Sequence, residues 1–134
     1  MKTIVNKWLE YAKADMEAAE VLVKHPKSHY SFQLAVLHCH QAIEKMLKTK
    51  IVAMGKEPKR VHNLIFLAQE SGLDLPGEFK SYLEELNPHY QPARYPDIPY
   101  KGPLLKYNEK IAQYHFNNTR KLFLWIEKKL NPKE

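Results

Sequence analysis

The chain has 134 residues and one cysteine, Cys39, so it has room for one domain-sized core and no internal disulfide. Hydrophobic residues make up 44% and charged residues 27%, which is typical of a globular protein and excludes a disordered one. The net charge of +6 favours anionic partners, but the signal is weak, because an ordinary solvated surface explains it better. No apolar run approaches the roughly 20 residues needed to span a bilayer, and the N-terminus is too polar for a signal peptide. We therefore expect a soluble cytoplasmic protein without a membrane partner.

Two long helices are predicted in the first half of the chain. Apolar residues recur at helical spacing over residues 3–24, and this helix ends before Pro26, because the residue preceding a proline disfavours helical dihedrals. A second helix is predicted over residues 29–54, with Ser28 as its N-cap and Gly55 as its C-terminal stop. Because few residues separate the two helices, we expect an antiparallel hairpin.

The second helix has two different faces over residues 32–50. One face is apolar along its whole length, as expected for a helix packed on a core. The opposite face starts with two leucines and continues with polar residues: Leu34, Leu37, Gln41, Glu44, Lys45 and Lys48. Glu44 and Lys48 have the spacing of a helix-surface ion pair. Either this face is simply solvated, or the helix contacts a core on one side and a partner or ligand on the other.

Three further helices complete the pattern. Asn63 is a candidate N-cap for a short helix that opens beside it and ends at Gly72. A fourth helix is predicted over residues 77–87, and a last long helix over residues 104–130. Residues 1–134 are therefore predicted to form a single all-α domain, an up-and-down bundle of three long and two short helices.

Residues 87–103 contain five prolines and three tyrosines. Proline at this density forbids helix and central strand, so we expect an ordered, partly extended segment, which we call the strap. A long loop inside a compact domain is usually functional or disordered, and the aromatic residues argue against disorder. The candidate anchors of the strap are Tyr90, Tyr95 and Tyr100.

The sequence gives little sign of metal or cofactor chemistry. His38 and His40 are two positions apart on a helix and point to nearly opposite sides, so they cannot chelate one ion, and we place them on the flanks of the helix. Cys39 falls on the apolar stripe, which indicates an inert buried thiol. The four isolated glycines form no phosphate-binding loop. We predict no metal and no cofactor.

Arg94 is the strap residue best suited to a charged ligand. Tyr95, Pro96 and Asp97 follow it, and the neighbouring prolines hold it stiffly, so its planar fork could meet a phosphate or a carboxylate. The alternative is a structural role, in which Arg94 ties the strap down through a salt bridge, for instance to Glu44.

Three motifs in this order resemble the HEPN domain family: QAIEKMLK in the second helix, VHNL at the start of the third, and YQPARYPD in the strap. The resemblance implies an up-and-down bundle that dimerises. It also implies that small members are often encoded beside a separate minimal nucleotidyltransferase, as a toxin–antitoxin-like pair, and bind nucleotides. Many members are metal-independent RNases, in which an arginine is followed four to six residues later by a histidine at the dimer cleft.

The chain departs from that RNase pattern. No histidine follows Arg94 at the family's spacing, and Tyr100 stands in part of that window. A tyrosine, with an ordinary pKa near ~10, is a poor general base at neutral pH. We therefore predict a non-catalytic homodimer that binds a nucleotide or RNA and works with a nucleotidyltransferase. The predicted binding residues are Arg94, Tyr95, Asp97, Lys45, Lys48 and His62.

Two alternatives stay open. One is a metal-independent RNase in which Arg94 acts with an atypical partner, His62 or Tyr100. The other is a purely structural dimerisation module, with Arg94 and Glu44 as internal ties. The residues predicted to form the dimer contact or such a tie are Leu34, Leu37, Gln41 and Glu44.

Overall fold

The computed structural model describes residues 3–96 and 107–130, and within them the regular structure is helical. The elements are α1 (Thr3–Lys24), α2 (His29–Ala53), α3 (Leu64–Ser71), α4 (Gly77–Leu86), a 3-10 turn (Asn87–His89), α5 (Tyr90–Arg94) and α6 (Glu109–Leu130). The predicted all-α bundle of three long and two short helices is confirmed, with the two one-turn elements in addition. None of the helices in these two stretches is long and apolar enough to cross a membrane.

α2 is the central helix of the bundle and packs against α1, α3, α5 and α6. Ser28 caps it as predicted, since its hydroxyl accepts a hydrogen bond from the Tyr30 N–H at 3.3 Å. The bulkiest fully buried side chains come from α2, α3, α4 and α6: Val36, His40, Ile43, Met46, Leu47, Thr49, Leu64, Leu67, Leu83, Leu86, Leu122 and Ile126. Because neighbours cover α2 on several sides, it buries far more than the single stripe of a surface helix.

α3 begins and ends at its predicted signals. The Asn63 side chain accepts hydrogen bonds from two backbone N–H groups of the first turn, at 3.0 and 3.1 Å. Gly72 ends the helix in the left-handed conformation, with φ of 71°. The Leu64 N–H donates to the Asn87 side-chain oxygen at 2.7 Å, which ties the start of α3 to the end of α4.

The last helix starts at Glu109, later than the predicted residue 104. Asn108 explains the difference, because its side-chain oxygen accepts a hydrogen bond from the Ile111 N–H at 2.9 Å, the geometry of an N-cap. Residues 97–106 lie outside the described part of the chain.

The first half of the strap is helical, so the prediction that its prolines forbid helix is wrong there. Pro88 and Pro92 each fall in the first turn of a one-turn element, where a backbone N–H has no intrahelical partner to lose. Tyr95 ends α5 in an extended conformation just before Pro96, as expected for the residue preceding a proline. The proline density therefore limits helix length in this segment without excluding helix.

His40 of α2 is fully buried, so its placement on a flank of the helix is wrong. Neither ring nitrogen has a hydrogen-bond partner among the described residues. A contact with the Asn87 backbone favours the charged form slightly but does not reach hydrogen-bond geometry. Burial dominates and lowers the pKa of His40 to about 3.

Two more histidines are buried between α4, the 3-10 turn and α6. His89 Nδ1 lies 2.8 Å from the Tyr107 hydroxyl, and His115 Nδ1 lies 2.9 Å from the Tyr82 hydroxyl. Burial lowers the pKa of each histidine to about 4. His115 is therefore a buried core histidine with a hydrogen-bond partner.

The buried histidines predict a loss of stability in weak acid. Because their pKa values lie below the ordinary value of about 6.5, the unfolded chain binds more protons than the folded one beneath that pH. Their contribution is fully present above about pH 6.5 and is lost as the pH falls toward about 4. We expect His40→Met to reduce the slope of the unfolding free energy against pH by about 1.4 kcal/mol per pH unit. Urea unfolding between about pH 6 and pH 4.5 measures that slope.

His25→Met is the matched control, because His25 is exposed at the end of α1. It should leave the pH dependence of the unfolding free energy unchanged. The same pH dependence in the wild type and in His40→Met would mean that His40 accepts a proton in the folded protein, which its burial forbids.

Candidate functional site

The candidate site is built on Glu44, whose side chain on α2 is nearly buried. Lys48, one turn later, donates a hydrogen bond from Nζ to Glu44 Oε2 at 3.0 Å. Both side chains are 10% exposed, so this pair is buried rather than solvated. Removing a carboxylate from water is costly, and it is tolerated only where partners such as this ammonium satisfy the charge.

His62 is the second partner of Glu44. It lies just before the cap of α3, and its Nδ1 is 3.1 Å from each carboxylate oxygen. A carboxylate only accepts, so Nδ1 carries the proton and Nε2 is left for a ligand: it accepts in the neutral ring and donates in the protonated one. The imidazole is 51% exposed. Glu44 therefore orients a histidine ring that a ligand can still reach.

Tyr90 of α5 connects His62 to Arg94. Its ring stacks on the imidazole, with centroids 4.0 Å apart and planes 14° from parallel. The Arg94 guanidinium donates a hydrogen bond to the Tyr90 hydroxyl and lies 5.4 Å from the ring centroids of both Tyr90 and Tyr95. We call Glu44, His62, Tyr90 and Arg94 the contact chain. It joins α2, the start of α3 and α5 at one surface.

The salt bridge between Arg94 and Glu44 that the sequence allowed is absent. Within residues 3–96 and 107–130, Glu44 is hydrogen-bonded to Lys48 and His62, and Arg94 forms no salt bridge. The exposed guanidinium of Arg94 therefore keeps donors for a ligand. Asp97 and Tyr100, both predicted members of the site, lie outside the described residues.

Lys45 belongs to a different cluster. Its Nζ donates to Asp15 Oδ2 at 2.6 Å, and His38 Nδ1 donates to Asp15 Oδ1 at 2.8 Å. Burial alone would raise the pKa of Asp15, but the two hydrogen bonds and the charge of Lys45 outweigh it, so the pKa is lowered. These contacts tie α1 to α2, and they direct Lys45 toward α1 instead of toward Arg94.

The predicted dimer face is divided. Leu34 is 42% exposed, whereas Leu37 is buried within the chain and Gln41 is half-buried. The Gln33 side-chain amide donates to the Ala93 carbonyl at 3.0 Å, which anchors α5 beside this part of α2. Leu34 is thus exposed one position after the residue that anchors α5, while Leu37 contributes mainly to internal packing.

Sequence reasoning missed the central place of Tyr90, which was expected only as an anchor. A signal was present, because Tyr90 and Arg94 are four positions apart and share a face once the segment is helical. No sequence signal pairs Glu44 with His62, since loop residues separate them. Among the described residues, no cluster of His, Cys, Asp or Glu has the composition and closeness of a metal site.

The site can perform two kinds of chemistry. A guanidinium fork, an imidazole and exposed aromatic faces suit an anionic ligand that carries an aromatic ring. A neutral imidazole oriented by a carboxylate is also the usual arrangement of a general base.

The chain matches the family model of the HEPN domain over residues 5–129. It is similar to the crystal structure of TT1696 from Thermus thermophilus, with 23% identity and a TM-score of 0.80 over 96% of this chain and 99% of that chain. It is also similar to ST0689, an archaeal HEPN homologue, with 26% identity and a TM-score of 0.73 over 98% of this chain and 100% of that one. The search of curated proteins found no match. Since the family model covers nearly the whole chain, this protein belongs to the HEPN domain family.

Proposed function

We propose that this protein is a non-catalytic homodimer that binds a nucleotide or RNA through phosphate groups at Arg94 and His62. The contact chain is the observation that carries the proposal. It holds an exposed guanidinium and an exposed imidazole on one surface, and no described carboxylate is paired with Arg94. Phosphate oxygens accept hydrogen bonds from the guanidinium, whose planar fork matches them in pairs, and from Nε2 of the imidazole when the ring is protonated.

The aromatic residues support a nucleotide over a bare anion. Tyr95 is 42% exposed and lies beside the Arg94 guanidinium. A base stacked on Tyr95 would leave its phosphates within reach of the guanidinium, so one ligand would use both features. Lys48 adds positive charge behind Glu44, and Asp97 stays a predicted member of the site.

An exposed apolar face next to Arg94 supports the homodimer. Tyr30 and Leu34 share one side of α2 and are 59% and 42% exposed, and Tyr95 follows α5, which is anchored beside them. A second copy covering this face would shield apolar surface and bring the two Arg94 side chains toward each other. The nucleotidyltransferase partner, in a toxin–antitoxin-like system, is proposed from the family resemblance.

Isothermal titration with ATP and other nucleotides tests the ligand. Arg94→Ala should weaken binding by roughly 1.5–3 kcal/mol, because it removes charged hydrogen bonds to phosphate. Arg94→Lys keeps the charge without the fork and should restore only part of the loss. Arg120→Ala removes an exposed arginine of α6 and is the matched control, with no expected change.

Equal affinities for the wild type, Arg94→Ala and Arg120→Ala would contradict the proposal. So would the absence of nucleotide binding, together with failure to capture the product of the neighbouring gene. A purely structural role makes the opposite prediction: Arg94→Ala would lower thermal stability by more than the ~0.5 kcal/mol expected at an exposed position.

The Glu44–His62 hydrogen bond favours a second candidate, a metal-independent RNase. In it, His62 Nε2 takes a proton from the 2′-hydroxyl, whose oxygen attacks the adjacent phosphorus while Arg94 stabilises the charge on the phosphate. The bond from phosphorus to the 5′-oxygen breaks, the departing oxygen takes a proton from water, and a 2′,3′-cyclic phosphate remains. The carboxylate of Glu44 holds the imidazole in the tautomer that leaves Nε2 free to accept.

Purified protein incubated with total RNA in EDTA tests this candidate. Cleavage by the wild type and by His25→Ala, with a loss of roughly 100-fold in His62→Ala and in Arg94→Ala, would support it. Intact RNA in every sample, or equal cleavage by all four proteins, would contradict it.

A further inference from the structure

Two adjoining depressions form one groove along α1 and the loop that joins α2 to α3. The first has a volume of about 380 Å³ and is lined by Ile4, Lys7, Trp8, Tyr11 and Lys45. The second has a volume of about 570 Å³, shares Ile4 and Trp8 with the first, and continues over Lys48, Val52 and loop residues 55–60. We call this surface the α1 groove.

The loop side of the α1 groove carries a net positive charge. It presents Lys56, Lys59 and Arg60, which are exposed and form no ion pair with another described residue. Glu57 is the sole carboxylate among the lining residues. The lysines on the helical side, in contrast, are each near a carboxylate. The loop therefore carries three cations against one carboxylate, Glu57, and has a net positive charge.

Aromatic faces stand beside these cations. Tyr11 is 60% exposed, and the Lys45 ammonium lies 6.0 Å from its ring centroid. Ile4, Trp8 and Tyr11 recur at the spacing of one helical face, so α1 presents an apolar stripe toward solvent in addition to its buried one. An unpaired nucleic-acid strand binds to cations that contact its phosphate backbone and to aromatic rings on which its bases stack. The α1 groove offers both.

We propose that the α1 groove binds a single strand of nucleic acid, with its phosphates on Lys56, Lys59 and Arg60 and a base against Tyr11. This deepens the proposed function, on which it rests, by naming the ligand as a strand instead of a mononucleotide. Two residues lead from the groove to the contact chain. Lys48 lines the groove and binds Glu44, and Arg60 lies two positions before His62.

Charge argues against a second copy of this chain as the occupant. In a symmetric contact the same patch meets itself, so the three loop cations would face their own copies. Like charges brought together at an interface cost free energy and select against that pairing. A polyanion neutralises all three and releases its condensed counterions.

Fluorescence anisotropy with a labelled oligouridylate of about 12 nucleotides tests the groove. The triple variant Lys56→Ala, Lys59→Ala, Arg60→Ala should bind about tenfold or more weakly, with the slope of log affinity against log salt reduced by about 2. The matched control, Lys110→Ala, Lys121→Ala, Lys128→Ala, removes three exposed cations of α6 and should keep that slope. Tyr11→Leu should weaken binding about fivefold or more, and Tyr11→Phe should not, because stacking needs the ring and not the hydroxyl.

Four outcomes would overturn the inference: no binding of the oligonucleotide, equal losses in the two triple variants, competition by polyglutamate as strong as that by RNA, or conversion of a dimer to a monomer by Tyr11→Leu.

An oligodeoxynucleotide of matching sequence shows whether the groove prefers RNA or DNA, and tighter binding of either nucleic acid supports the groove. ATP titration of Arg94→Ala reports on the proposed function separately. Suppose that Arg94→Ala loses ATP binding while the triple variant keeps the wild-type salt slope for the oligonucleotide. That pair of results would support the proposed function and reject the groove.

Discussion

The buried carboxylate of Glu44 is the constraint on which the arrangement of the site depends. It is nearly buried on the central helix, so its charge must be satisfied by groups close at hand. Lys48 satisfies it from within the helix, and His62 satisfies it from the start of α3. The second bond fixes the imidazole, on which Tyr90 stacks, and Tyr90 in turn positions Arg94. An interior charge thus determines which groups appear at the surface.

This arrangement changes how the family's RNase pattern applies to the chain. The sequence lacks a histidine shortly after Arg94, yet a histidine ring lies one tyrosine away from the guanidinium. Because His62 comes from a different element, no spacing rule along the chain detects it. The chain can therefore lack the motif and still hold either a binding site or an atypical RNase site. The two differ in whether Nε2 of His62 contacts a 2′-hydroxyl.

Local signals predicted most of the fold. Ser28, Asn63 and Gly72 act at their predicted positions because capping depends on neighbouring residues alone. The prediction for the first half of the strap was wrong for a related reason. It relied on the number of prolines, whereas the effect of a proline depends on its position within a helical turn. His40 was misjudged because packing by α5 and the 3-10 turn, which the sequence did not predict, covers that side of α2. The stacking of Tyr90 on His62 was missed for the same reason, because it depends on the packing of α5 against α2.

The central claim is that Glu44 acts on the ligand through His62. The most direct test measures ATP affinity for Glu44→Gln, His62→Ala and the double variant. If the claim holds, Glu44→Gln weakens binding in the wild-type background and has no further effect once His62 is removed, a coupling of roughly 0.5–3 kcal/mol. Equal losses from Glu44→Gln in both backgrounds would show that the two residues act independently and would contradict the claim.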